Sequence, residues 1–451
     1  MQPLKQEKIF TNHQLLTLLW PLIIEQTLSV LVGMADTVMV SSVGEAAISG
    51  VSLVDMINQL IITVFAALAT GGAVVTSQYL GAKKPEQAAR SAGQLVGLSA
   101  LLGLAVAAFC LLTRRPMLRL LFGSITDDVM DAALVYFTIT ALSFPFLALY
   151  NAGAAIFRST GNSAVSMKVS VIVNAINFCG NAICIFVLGM GVEGVAIPTL
   201  ISRAVGAFII LGLATQHEYV LHITPRSVTH LEGGIVKSIL RIGIPSACEN
   251  SLFQLGRVLV VQVIAYFGTV QTAANAVANV LDSVGVLPGQ TINLAMISVV
   301  GQCVGARDFK QARHYTRKLL IWTYIATICL NVPLLLSLPW ILPIFDASPE
   351  ALELAKKLIF IHDGMAMLMW PLAFSLPNAL RAASDVRYTM VVALGSMAVF
   401  RIVFSYILGI GLGWGAVGVW IAMIIDWVCR IVFYAARYRS GKWEEKARIA
   451  A

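Results

Sequence analysis

Along most of this chain the apolar residues do not alternate with polar ones. They run on for roughly twenty or more residues at a time, broken by short segments that carry charge, glycine or proline. Such runs match a bilayer's hydrocarbon core, about 30 Å thick, crossed at about 1.5 Å per helical residue. The short alternating strands of a membrane β-barrel are absent, so the runs read as helices. The breaks place spans near 14–40, 47–79, 91–113, 132–157, 164–188, 192–215, 236–266, 272–303, 316–343, 352–379, 388–410 and 414–436. Composition agrees: of 451 residues only 12% are charged, against about 25% in soluble domains. The fold class expected is therefore an all-α polytopic membrane protein with twelve transmembrane helices.

A net charge of +8 would point to nucleic acid in a soluble protein, but its distribution points to the membrane. With the N-terminus placed inside, the odd-numbered loops hold only Arg114, Arg115, Arg119, Lys356 and Lys357, and Arg203, Arg257, Arg401 and Arg430 fall within spans. The remaining Lys and Arg lie in or beside the termini and the even-numbered loops. The positive-inside rule then puts both termini in the cytoplasm of a plasma (inner) membrane protein, with no nucleic-acid partner. The start, MQPLKQEKIF, is short and polar and leads into a span too long for a signal peptide. The seven cysteines have no metal or redox spacing and read as small packing residues.

The two halves repeat. A constant offset of 224 aligns Pro21 with Pro245, Glu25 with Glu249, Gly44 with Gly268, Gln78 with Gln302, Gly81 with Gly305 and Gln87 with Gln311; Arg158 answers Arg381 at 223. Six spans per half enter the membrane in the same sense, so the two lobes are related by a pseudo-twofold axis along the membrane normal. The expected division is an N-terminal lobe 1–215, a cytoplasmic linker 216–235, a C-terminal lobe 236–440 and a cytoplasmic tail 441–451.

An ionisable side chain inside a span costs about 2.5–3.5 kcal/mol on insertion scales, so each one calls for a reason. Asp36 lies late in the first span; Asn174, Asn177 and Asn181 share a face of the fifth; Thr199 lies in the sixth. A carboxylate facing amide and hydroxyl oxygens suits a proton or a sodium ion. The competing reading makes the amides interhelical glue worth about 0.6 kcal/mol each. Glu25 and Glu249 each follow a proline by four residues and read as hinge polarity or as proton handling. Arg257 and Arg401 are permanent cations in apolar runs and need an acid, an interface or an anionic ligand. Asp426 and Arg430 have the spacing to satisfy each other. Met365, Met367 and Met369 beside Trp370 form either a soft substrate surface or ordinary packing. A substrate cavity drawn from Arg257, Arg401, Glu249, Met369 and Trp370 is the candidate. No P-loop, nucleophile elbow or HExxH pair occurs, so no enzyme is expected.

At these residues the chain resembles the multidrug and toxic compound extrusion (MATE) family, nearly end to end from about 12 to 436. The stretch PLIIEQTLSVLVGMADTVMVSSVG is similar to the family's first helix, whose aspartate is implicated in cation coupling, a role that carries to Asp36. SQYLGAKKPEQA and GQCVGARDFKQA resemble the loops after helices two and eight. NAINFCGNAICIF resembles the helix that, in the DNA-damage-inducible subgroup, holds Asn and then Asp; Asn177 and Asn181 stand there, so one carboxylate of that pair is an amide here. GVAIPTLIS puts Thr199 at that subgroup's polar Thr. The acids that other subgroups carry in helices seven and ten fall on Phe253 and Trp370.

The resemblance implies a secondary exporter of small organic compounds, a monomer in the bilayer, with no cofactor and a proton or sodium as coupling ion at Asp36. A flippase for lipid-linked glycans of the same superfamily is the alternative, with a channel or receptor as a third reading.

Overall fold

A computed structural model describes residues 8–123, 126–345 and 347–450. Helices α1 (Asn12–Ser41), α2 (Glu45–Gly81), α3 (Pro85–Phe122), α4 (Asp127–Ser159), α5 (Ser163–Ala182) and α6 (Glu193–Ala214) come first. A short helix α7 (Pro225–Thr229) and the long α8 (Gly233–Ala265) follow. Then come α9 (Thr269–Gly285), α10 (Leu287–Gly305), α11 (Phe309–Ile341), α12 (Pro349–Trp370), α13 (Leu376–Ala382), α14 (Val386–Ser396), α15 (Gly415–Arg439) and α16 (Lys442–Ala450).

Among the described residues ten helices are long and apolar enough to span a membrane, and α9 with α10, bent by 44° between them, makes an eleventh. The remaining long helix, α8, runs 33 residues but carries Lys237, Arg241, Glu249 and Arg257, which dilute its apolarity. The twelve-span, two-lobe layout fits. Leu112 and Leu120 are 84% and 85% exposed, which suits hydrocarbon solvent rather than water. Several spans are wider than α-helical over a turn: Ile183–Val187 continues α5, Pro371–Ser375 joins α12 to α13, and Met397–Val403 with Ser405–Gly411 extends α14. Extra-wide turns of this kind free backbone groups locally and often mark sites of function.

The sequence repeat recurs in backbone conformation. Lys83 and Arg307, 224 apart, both have φ of 56°, and Lys84 N–H and Asp308 N–H each reach back five residues, to Tyr79 O (3.0 Å) and Cys303 O (3.1 Å). Gly161 (φ 83°) is matched by Ser384 (φ 63°), again with paired back-bonds, Asn162 N–H to Phe157 O at 3.0 Å and Asp385 N–H to Leu380 O at 2.9 Å. These are helix C-caps in which a left-handed residue satisfies the last carbonyls.

Packing divides the chain into two units, Phe10–Ala247 and Cys248–Ala451, the second joined by the N-terminal stretch ending at Ile9. The division falls within α8, just beyond Pro245. Ile9 N–H donates to Gln311 Oε1 at 2.8 Å.

The polar segment 216–235 is fastened rather than loose. Thr224 and Ser227 cap α7 reciprocally, and Gln94 of α3 donates to Ser227 O (2.8 Å) and His230 O (2.7 Å) while accepting from Glu232 N–H (3.0 Å). Gly93 and Gly97 leave the room that α7 fills; a Cβ at Gly97 would lie 2.5 Å from Val228 O. The tail is helical as well. Trp443 in α16 is buried, stacked 5.3 Å from Tyr438 and set edge-on 5.9 Å from Phe309. Glu444 pairs with Arg313 (2.5 Å) and Lys446 with Asp385 (3.0 Å), so its polar side is tied down too.

Candidate cation site in the N-terminal unit

Helices α1 and α5 pack side by side in the first unit. Asp36, half-buried in the last turns of α1, meets Asn181 two residues before the widened segment that continues α5. Asn181 Nδ2 donates to Asp36 Oδ1 at 2.8 Å. Asn177 lies one turn away on the same face, its amide within 2.9 Å of Thr199 Oγ1. An amide exchanges its oxygen and nitrogen by a half-turn about its last bond, so the network decides which end faces which group. With nitrogen inward, Asn177 donates to both Asp36 oxygens at 3.1 Å and accepts from Thr199. With nitrogen outward it donates to Thr199 Oγ1, whose own proton goes to Val195 O at 2.9 Å. A charged carboxylate favours the first arrangement, because it can only accept.

Four of the five residues expected here therefore meet: Asp36, Asn177, Asn181 and Thr199. Asn174 does not join them; its amide donates back to Ser170 O (2.9 Å) and Ser170 Oγ (3.1 Å). The oxygens present fit a small hard cation in kind. Asn181 Oδ1, on the amide that donates to Asp36, is buried and has no hydrogen-bond partner among the described residues. An orphaned carbonyl oxygen next to a carboxylate is what such an ion, or the proton of a neutral carboxyl, would engage.

The site is larger than the sequence reading made it. Asp55 of α2 accepts from Tyr136 Oη (3.1 Å) and Asn58 Nδ2 (3.2 Å), and Arg203 of α6 donates to Ser143 Oγ at 2.7 Å. Asp55 and Arg203 both act electrostatically on Asp36. Asp36 is thus not the only well-placed carboxylate of this lobe. The signal was available, because Asp55 interrupts the apolar run SLVDMINQLII at the same insertion cost that singled out Asp36.

In the C-terminal unit the candidate cavity residues scatter. Glu249 pairs with Arg381 at 2.5 Å, not with Arg257 or Arg401. Arg401 is buried, 3.4 Å from Asp426, which also holds Arg430 at 3.0 Å, the i, i+4 pair expected. Phe253, at the position of another subgroup's acid, offers its ring face to the guanidinium groups of Arg401 and Arg430, 5.0 and 5.5 Å away. Trp370 is buried, stacked on Phe374 at 5.3 Å and lying against Gly289, and Met369 packs partly buried beside that cluster. Arg257 alone is exposed and makes no ion pair among the described residues.

Comparison with known proteins bears on the whole chain. A profile of the MatE family matches residues 21–183 and 245–407, the same segment found twice at the repeat's own offset. An uncharacterized transporter, YisQ, of Bacillus subtilis is 30% identical over 96% of both chains. A probable multidrug resistance protein, NorM, of Thermotoga maritima is 25% identical over 98% of this chain and 95% of its own. Among solved structures, an outward-facing multidrug resistance MATE family transporter of the MOP superfamily superposes with a TM-score of 0.89 at 22% identity, covering 96% of each chain. A MOP superfamily transporter from Pyrococcus furiosus, described as having a binding pocket of reverse polarity, gives 0.87 at 22% over 95% of this chain and 96% of its own. At such identities these structures speak to the fold.

Proposed function

The chain belongs to the MatE family of membrane transporters and is a secondary active exporter, and from that premise we propose that Asp36 is where a proton or a sodium ion is exchanged for the exported compound. The observation that carries this is the Asn181 Nδ2 to Asp36 Oδ1 hydrogen bond, with Asn177 placed to turn either end of its amide toward the carboxylate. While Asp36 is charged, amide nitrogens face it. Once a cation neutralises it, donors are no longer needed, and the oxygens of Asn177 and Asn181 become the better partners. A change of charge at one carboxyl thereby changes how α1 is held to α5, and a cation that prefers one packing over the other shifts their populations. In this reading sodium would be held by Asp36, Asn177 and Asn181, with Thr199 steering the Asn177 amide.

The exported compounds are small organic molecules, as the names of the NorM relatives imply for those proteins. The protein works as a monomer in the inner membrane with both termini cytoplasmic. One observation favours a second substrate class: Arg257 is an exposed cation in a mostly apolar helix with no ion pair among the described residues, which suits ligands bearing an anionic group.

The test is dye and drug efflux from proteoliposomes under separate proton and sodium gradients. Asp36→Asn should insert normally and lose gradient-driven efflux. Undiminished transport by a well-folded Asn variant would remove Asp36 from the mechanism.

A further inference from the structure

The C-terminal unit holds a second buried polar cluster, remote in sequence from Asp36. His362 and Asp363 lie in α12, Asp282 near the end of α9 and Asn331 in α11. His362 Nδ1 stands 3.0 Å from Asp282 Oδ1 and 3.2 Å from Asp363 Oδ1. One ring nitrogen carries one proton or one lone pair, so it cannot serve two carboxylates equally. Its hydrogen bond goes to Asp363, and Asp282 Oδ1 is left buried without an aligned partner.

Two more oxygens are orphaned at the same place. Asp363 Oδ2 and Asn331 Oδ1 have no hydrogen-bond partner among the described residues, although Asp363 is 1% exposed and Asn331 fully buried. The Asn331 amide cannot be turned to relieve this, because its nitrogen already donates to Gly285 O (3.0 Å) and Thr327 O (2.9 Å). Both orphans face one notch: a Cβ on Gly285 would run into Asn331 Oδ1 and lie 3.3 Å from Asp363 Oδ2. Buried oxygens without donors are rare in folded proteins and cost about 1–3 kcal/mol each. One of the three lies 3.0 Å from the His362 ring and the other two share the notch at Gly285, an arrangement that calls for a shared cation.

We propose that Asp282, His362 and Asp363, with Asn331 closing the shell, bind one divalent transition-metal ion of the zinc class. Four-coordinate ions with bonds of about 2.0–2.1 Å hold neighbouring ligand atoms about 3.3 Å apart. The 3.0 and 3.2 Å separations at His362 are within a few tenths of an ångström of that edge, and the three ligand atoms lie within 4.8 Å of one another. An imidazole among carboxylates selects a borderline ion over magnesium or sodium, which take oxygen shells. A divalent charge also balances both carboxylates at once. The charged groups facing the cluster from other helices, Arg257 and Arg401, act on Asp282, and Asp426 offsets Arg401. Trp420 and Trp427 flank the ring at 5.0 and 4.7 Å and keep it dry. Asp282, 20% exposed, is the open edge through which an ion enters. A bound ion would clamp α9 to α12, and to α11 through Asn331.

The test uses full-length detergent-purified protein with any histidine tag removed, titrated with cobalt(II) and, separately, with zinc. Wild type and Asp36→Asn should each take up one ion per chain, with the visible absorption of four-coordinate cobalt. Asp282→Asn and His362→Gln should bind about 100-fold more weakly, at or beyond what losing an outer-shell partner costs a metal site. X-ray absorption on the zinc-loaded wild type should give one nitrogen and otherwise oxygens near 2 Å, a readout that needs no variant to fold. No stoichiometric uptake, a shell containing sulfur or several imidazoles, or undiminished binding by both variants would overturn the proposal. In the first case the cluster holds a proton alone.

Discussion

Arg381 Nη2 lies 2.5 Å from Glu249 Oε1, and the same pairing occurs in the other half of the chain, where Arg158 faces Glu25 at 3.6 Å. Each Glu follows a proline by one helical turn, and each Arg is the penultimate residue of a helix that precedes a left-handed cap. The repeat is thus expressed as an ion pair that ties two helices together within each unit. Ser166 Oγ adds a donor to Glu25 at 3.0 Å, and Asn378 Oδ1 accepts from Arg381 Nη1 at 2.7 Å.

Breaking the tighter pair from one side should cost roughly 3–5 kcal/mol, because it strands a buried charge. Glu249→Gln and Arg381→Gln should each lower the thermal midpoint in detergent. The double variant should lose much less than the sum of the two, since it leaves no unpaired charge. Additive losses would mean that each residue serves other partners.

Restoring a carboxylate with Asn181→Asp should alter ion dependence more than substrate range. Two carboxylates at the 2.8 Å separation now spanned by the amide disfavour joint ionisation, so the pair would hold a proton or recruit sodium. Efflux measured against pH and sodium for both proteins checks this, and superimposable curves would make Asn181 a packing residue only.

Trp443→Ala should destabilise the C-terminal unit by about 3 kcal/mol, the low end for removing a buried aromatic. The ring fills the space between Tyr438 and Phe309, and its Nε1 donates to Tyr438 O at 3.0 Å. Thermal unfolding and limited proteolysis of the tail report the loss. An unchanged midpoint would show that α16 docks too weakly to matter.

Arg257→Gln should weaken binding of anionic ligands several-fold while leaving matched cationic ligands unchanged or improved. Arg401→Gln should instead lower stability, because it removes a partner of the buried Asp426. Parallel titrations of the two ligand classes separate these outcomes. Equal weakening of both classes by Arg257→Gln would assign it to packing.

The chain's apolar runs by themselves determined that it is helical and spans a membrane many times. In hydrocarbon every backbone N–H must be satisfied by the protein, within a helix or between the strands of a closed barrel, and continuous apolar runs of about twenty residues fit only the helix. The repeat at an offset of 224 likewise carried the two-lobe plan, while its matched caps at Lys83 and Arg307 emerged only in the backbone conformation. The insertion cost of polar side chains marked Asp36, Asn177 and Asn181, because one helix face and one family resemblance placed them. Pairing was a different matter. That Glu249 chooses Arg381 over Arg257, that Asp55 and Arg203 act on Asp36, and that Asp282 meets His362 are relations between different helices. A partner is selected by helix rotation and packing distance, which periodicity does not encode, so only the tertiary structure decided them.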